Sequence, residues 1–491
     1  MTYSKNLQAQ LIQKLYLKKN IDIEKCKRSL AYFIKQAWHI IEPRQEYVPN
    51  WHIDAVCEHL EAITFGQLKR LLVNIPPGTM KTLMTSVFFP AWEWGPRGLA
   101  HMRYISASHN QTLALSNNVK TRRLISSEWY QNRWEIELMK DQDTKTKFEN
   151  TQTGLREALA ADSMTGARGD RVIIDDPHSV SSASSDKERQ STLDWFTESV
   201  PTRLVNPDSS AIIVIMQRLH EKDVSGLILE QELGYEHLCL PMRFDPLRRC
   251  TTSIFFTDPR TYEGELLFPQ RFPERVVAGL EKTLGSIAAA GQLDQLPAPA
   301  KGNIFKNEWF GVFYSVKKYQ RIVISLDTAS KAKELNDPTC ATVWGVHTDG
   351  YDLLEIVLDR FIYPDLKKMI VKLAEKYKNQ EYYAGHTLFT ILIEDKASGI
   401  SLIQDLRKDT NLNIVAIEPS SDKITRASTC SPQVENGKVF LKANADYTHA
   451  YLKELCVFPN TSSDDQVDST SQFLNWISTN VSGNIHDIYL D

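Results

Sequence analysis

The chain has 491 residues, 42% hydrophobic and 24% charged, with a formal net charge of -4. That length exceeds one ordinary core, so two or more domains are expected, and the composition is that of a soluble globular protein. The charge balance excludes a strongly basic nucleic-acid coat, so any nucleic-acid surface has to be a local patch. Seven scattered cysteines with no C-x-x-C pair argue against a zinc ribbon or a disulfide frame and fit reduced thiols in a cytoplasm. No apolar run approaches the roughly 20 residues of a membrane span. The N-terminus MTYSKNLQAQLIQKLYLKKN is polar and mixed in charge, unlike a signal peptide, so no membrane partner is expected.

Residues 1–65 are expected to be a helical region, because SLAYFIKQAWHII spaces its apolar side chains at helical intervals. From 66 to 245 short apolar runs, RLLVNI, MRYISAS, RVIIDD and AIIVIMQ, each end in polar or turn residues. Strands covered on both faces read this way, with helices as crossovers. The expectation is an α/β domain with a parallel sheet, whose ligands gather beyond the strand C-termini. Residues 246–315, with FDPLRRCTTSIFFTDPRTYEGELLFPQRFP and LDQLPAPAKG, are rich in Pro, Asp and Gly and read as a connector. A second α/β region covers 316–491. Its expected strands are RIVISLD, CATVWGVHT, YDLLEIVLDR, TLFTILIED and NIVAIEP; its helices include DLKKMIVKLAEKYK and the segment after DDQVD.

The stretch NIPPGTMKT reads as a strand end, a stiff turn and a helix start. Lys81 and Thr82 stand where a phosphate-binding loop keeps a lysine for the β/γ-phosphates and a hydroxyl for Mg²⁺, at a helix N-terminus that favours anions. Pro77, Gly78, Thr79, Met80, Lys81 and Thr82 form the candidate nucleotide-binding loop, although Met80 occupies the position of the usual second glycine and Ile75 that of the first. RVIIDDP is an apolar strand ending in two acids, which would put Asp175 beside a Mg²⁺ shell and Asp176 near an attacking water. AIIVIMQRLHEKD ends a third strand with Gln217 and Arg218 at the same edge. Arg168 is the candidate guanidinium for the transferring phosphoryl group, in cis or from a neighbouring subunit.

In the second region Asp327 ends one strand, Glu394 and Asp395 end another, and Asp464, Asp465 and Asp468 open a helix. Asp465 and Asp468, at i and i+3, share a face. Carboxylates without a nearby Cys or His cluster suit hard cations, and two Mg²⁺ or Mn²⁺ ions can stabilise both oxygens of a phosphodiester displacement. Asp465 would equally serve as a helix cap. Lys331, Lys333, Lys423 and Arg426 are candidate phosphate-backbone contacts.

Taken together, NIPPGTMKT, VIIDDP, IIVIMQRLHEKD, GELLFPQRFP, SLDTAS, LIEDKASG and DDQVD resemble the large terminase subunit of tailed bacteriophages. The resemblance implies a P-loop ATPase joined to a ribonuclease H-like nuclease, cutting concatemeric viral DNA and pumping double-stranded DNA through a portal protein into a procapsid. It implies ATP and Mg²⁺ at the first site, with Lys81, Thr82, Asp175, Asp176 and Gln217 in its machinery and Trp51 and His52 beside the adenine. At the second site it implies two Mg²⁺ or Mn²⁺ ions on Asp327, Glu394 and either Asp465 or Asp468. It further implies a small terminase subunit as partner, a ring of five on the portal or a monomer in solution, and work in the cytoplasm of a bacterial host. Asp176 departs from the usual glutamate and Gln217 from the usual threonine. Two alternatives stand beside this expectation: a cellular helicase- or repair-type ATPase-nuclease, and an inert prophage remnant acting only in docking.

Overall fold

A computed structural model describes residues 17–160, 166–297, 304–327, 338–378, 382–396, 398–418, 421–461 and 463–480. Lys331 and Lys333 lie outside the described residues. The chain divides into two compact units, Met1–Glu281 with Ser286–Ala300, and Lys282–Gly285 with Lys301–Asp491. Among the described residues no helix is long and apolar enough to cross a membrane.

The first unit is built on eight strands: β1 Arg70–Asn74, β2 Tyr104–Ser108, β3 Leu138–Asp143, β4 Lys147–Asn150, β5 Leu155–Ala160, β6 Arg171–Asp175, β7 Ala211–Met216 and β8 Glu236–Cys239. Their order is β3-β4-β5-β2-β6-β7-β1-β8. The four strands expected from apolar runs, β1, β2, β6 and β7, are consecutive parallel members of the centre, every residue of β2, β6 and β7 being buried. Double coverage is why their sequences carry no alternation. The antiparallel flank β3-β4-β5 and the edge strand β8 carry polar residues and leave no such signature. Helices Leu30–Ile41 and Trp51–Thr64 form in the N-terminal region as their spacing predicts, the first started by Ser29, whose side chain accepts from the Tyr32 amide.

The stretch expected as a connector is instead structured, and most of it, 246–281 with 286–300, belongs to the first unit. Turn-forming composition hid its buried side chains: Cys250, Leu267, Phe268 and Val277 are all in the core. Arg260, 1% exposed, forks onto both oxygens of Asp258 and also donates to the carbonyl of Pro241 at 2.9 Å. Its guanidinium lies 5.4 Å from the Trp51 ring, and Phe256 stacks on that same ring.

The second unit carries β9 Gly311–Phe313, β10 Tyr319–Asp327, β11 Thr339–His347, β12 Gly350–Asp359, β13 Tyr383–Glu394, β14 Ile414–Ile417 and β15 Val439–Lys442, in the order β14-β13-β10-β11-β12-β15-β9. The β10-β11-β12 stretch is antiparallel, while β13 and β14 run parallel to β10. The five expected strands are all present, whereas β9 and β15, of three and four residues, were too short to be read.

Removing the Arg260 side chain would leave Asp258 as an uncompensated buried charge. Arg260→Met is expected to lower the stability of the first unit by about 3 kcal/mol, measured by urea denaturation, with Asp258→Asn adding little to it in the double variant.

Candidate functional site

β7 lies between β6 and β1, with Asp175 opposite Ile215 and Asn74 opposite Met216. The three strand ends therefore open on one edge, and the loop after β1 turns across it. Gly78 and Met80 both take left-handed backbone, φ 78° and 68°. Met80 thus adopts the conformation for which phosphate loops usually keep glycine, at about 1–2 kcal/mol of strain. Thr79 steadies the turn by donating its hydroxyl to the Pro76 carbonyl at 2.7 Å. The buried His52 Nε2 pairs with the Thr79 carbonyl at 3.2 Å, while its Nδ1 faces Asn50. Burial pushes the His52 imidazole down to about 4, so it is neutral, with Nε2 carrying the proton.

The helix after the loop starts as a π-helix, Leu83–Phe88. Its widened turn frees the Ser86 carbonyl, which accepts from Arg156 and from the Thr121 hydroxyl at 3.3 Å. On the same helix face Thr82 Oγ1 donates to Asp175 Oδ1 at 3.0 Å and Ser86 Oγ to Asp175 Oδ2 at 3.1 Å. Burial raises the Asp175 carboxyl to about 6, Lys81 pulling it down and Asp176 pushing it up. Lys81 Nζ forms an ion pair with Asp176. Asp176 also has left-handed backbone, φ 45°, and accepts from the Gln217 amide at 3.2 Å. A cavity of about 400 Å³ lies over this cluster, lined by Pro77, Gly78, Met80, Lys81, Thr82 and Asp176, and by five residues that sequence reasoning missed, Trp38, Glu42, Gln45, Leu83 and Arg271. The donor chemistry fits a nucleotide phosphate with a hard cation, and Gln217 Oε1 is a buried acceptor without a hydrogen-bond partner beside Asp176.

Several sequence candidates fall elsewhere. Arg168 is exposed and precedes β6, where the Gly169 and Asp170 amides donate to the carbonyls of Arg203 and Arg103. That is the opposite edge of the sheet, on the order of 20 Å from Asp175 at 3.3 Å per strand residue, so Arg168 does not serve its own site in cis. Arg218 is committed to Asp223, at 3.0 and 3.1 Å. Trp51 is occupied by Phe256 and Arg260, and neither Trp51 nor His52 lines the cavity. Arg156, fully buried behind Asp175, gave no signal because β5 resembles an ordinary polar strand.

In the second unit the parallel register Leu326↔Ile393 sets Asp327 beside Glu394. Helix Asp465–Asn480 docks on β10 through reciprocal bonds: Ser325 Oγ to the Ser469 carbonyl at 2.8 Å and Ser469 Oγ to the Ser325 carbonyl at 2.9 Å. This brings Asp468, rather than Asp465, to a cavity of about 480 Å³ lined also by Asp327, Glu394 and Arg426. Asp465 accepts from Ser463 at 3.2 Å, and the helix is capped by Glu454, which accepts from the Gln466 amide at 2.7 Å. Burial, and then the charges of Asp468, Glu394 and Asp465, hold the Asp327 carboxyl well above its usual range. Lys423 and Arg426 each meet one Asp468 oxygen at 2.7 Å. The three carboxylates fit a hard divalent cation in kind, although among the described residues no three His, Cys, Asp or Glu side chains form a ready-made cation cage.

Two outcomes follow for the loop. Met80→Gly is expected to leave stability unchanged or raise it by up to about 1 kcal/mol, whereas Met80→Val lowers it by about 1–2 kcal/mol, both read from denaturant midpoints. The folded His52 titrates below an unfolded histidine, so its contribution is complete above about pH 6.5 and is lost as pH falls towards 4. A His52→Gln variant should therefore show a shallower fall of melting temperature over that window than the parent.

A family model described as the terminase RNaseH-like domain matches residues 324–476. The large terminase of a thermophilic bacteriophage, solved in complex with ADP, is similar to this chain, with a TM-score of 0.50 at 13% identity over 90% of this chain and 99% of that one. The same phage's large terminase in complex with ATP-γ-S gives 0.50 at 12% identity over 90% and 98%. The HK97 bacteriophage large terminase gives 0.35 at 13% identity over 92% and 99%. No curated protein matches the sequence significantly. Residues 324–476 match the terminase ribonuclease H-like domain, and the chain as a whole has the fold of a phage large terminase.

Proposed function

We propose that the protein is the motor and nuclease of viral DNA packaging, hydrolysing ATP to drive double-stranded DNA into a procapsid and cutting concatemeric DNA with divalent cations. The observation that carries this reading is the gathering of Lys81, Thr82, Asp175 and Asp176 at one sheet edge, with Asp327, Glu394 and Asp468 around a second cavity. The thermophilic phage's large terminase was solved with ADP and with ATP-γ-S, which supports nucleotide use here.

Lys81 exchanges its pairing with Asp176 for the nucleotide phosphates, and Asp176 is released to orient the attacking water and take its proton. Thr82 and Asp175 would hold a magnesium ion, which would neutralise phosphate charge. Gln217, whose amide is bonded to Asp176, carries the state of the acid to the 217–223 segment. In the second unit Asp327, Glu394 and Asp468 would hold Mg²⁺ or Mn²⁺, which would activate water against a phosphodiester. Lys423 and Arg426 supply positive charge for the DNA backbone. Portal protein and a small terminase subunit are the proposed partners, in a ring of five in the bacterial host cytoplasm.

Lys81→Ala is expected to lower DNA-stimulated ATP hydrolysis by about 100-fold or more while Mn²⁺-dependent plasmid nicking persists. Asp327→Ala should do the reverse. Undiminished hydrolysis in the first variant, or undiminished nicking in the second, would refute the corresponding assignment.

A further inference from the structure

The stretch GELLFPQRFP belongs to a segment read from sequence as a connector, yet it contributes Arg271 to the lining of the phosphate-loop cavity. Its placement is tightly specified. The Asn50 side chain donates to the Leu267 carbonyl at 2.8 Å. The Phe268 ring packs 4.9 Å from His52, the residue that holds the Thr79 carbonyl of the loop. Both the Arg271 and Phe272 amides donate to the Phe268 carbonyl, closing a turn. Phe272 then covers Gly78 so closely that a Cβ there would stand 2.7 Å from its ring. Arg271 is left lining the cavity together with Lys81, Thr82 and Asp176. Among the described residues its guanidinium has no acidic partner within ion-pair distance, in contrast to Arg171, Arg218, Arg243 and Arg260, each paired with a carboxylate.

From this geometry we infer that Arg271 is a catalytic residue of the first site, its guanidinium meeting the terminal phosphates of the bound nucleoside triphosphate in cis. The inference rests on the reading of that cavity as a nucleotide site. A planar, permanently charged fork fits two phosphate oxygens at once, and the turn closed on the Phe268 carbonyl places it at the cavity. Arg168, at the far edge of the sheet, does not fill this place. As negative charge shifts toward the leaving diphosphate, Arg271 adds a second cation to that of Lys81. No bond to the protein is formed or broken.

The test uses the full chain, with ATP turnover followed by phosphate release and nucleotide affinity by fluorescently labelled ADP. Arg271→Ala should lower kcat by about 100-fold while ADP affinity changes by less than about threefold. Arg271→Lys should recover only a small part, because an ammonium lacks the fork. Turnover within threefold of the parent in Arg271→Ala, alongside loss of turnover in Lys81→Ala, would overturn the role of Arg271 and leave the nucleotide site standing. Parental turnover in both variants would instead overturn the reading of the cavity itself. Recovery of turnover on mixing Arg271→Ala with Lys81→Ala protein would overturn the assignment in cis.

Discussion

A buried carboxylate organises the first unit. Asp175 ends β6 with both oxygens engaged by Thr82 and Ser86, and the Asn117 amide reaches one of them at 3.4 Å. An acid in such a place is tolerable only when donors and cations surround it. Meeting that demand joins the helix of the phosphate loop to the acidic strand. The π-helical turn lets Ser86 serve twice, its hydroxyl on Asp175 and its carbonyl on Arg156. Everything proposed for the nucleotide depends on this junction, because it fixes Lys81 and Asp176 across one cavity.

Strain is concentrated at the same place. Met80 and Asp176 are both non-glycine residues in left-handed backbone, and they face the same cavity. Such conformations persist only where the surroundings over-determine them. Here the surroundings are His52 on the Thr79 carbonyl, and the Gln217 amide on Asp176. A methionine in place of the usual glycine therefore changes the stability of the loop more than its shape.

The second unit meets the opposite electrostatic problem. Asp327, Glu394 and Asp468 are brought together by strand register and by the reciprocal Ser325–Ser469 bonds, so like charges accumulate. Lys423 and Arg426 neutralise one of them. A dication would relieve the remainder, which is why the site reads as a metal centre in chemistry even though its oxygens are not arranged as a cage.

The sequence by itself determined the central strands and the residue types at their ends. Apolar runs such as RVIID and AIIVIM can be stable only when covered on both faces, and their terminal polar residues must then share an edge. It also determined the strand carboxylates Asp327 and Glu394, since both close long buried runs. What only the tertiary structure decided involves contacts distant in sequence. Asp465 and Asp468 lie on one helical face, and the docking of that helix through Ser469 selected between them. The stretch around Arg271 reads as a linker because turn residues dominate it, and the Arg260–Asp258 pair, sealed against Trp51, made it part of the first unit. Arg168 lies close to the acidic strand in sequence but at the wrong end of it, since a strand carries its two ends apart and the sequence does not say at which end a loop residue is used.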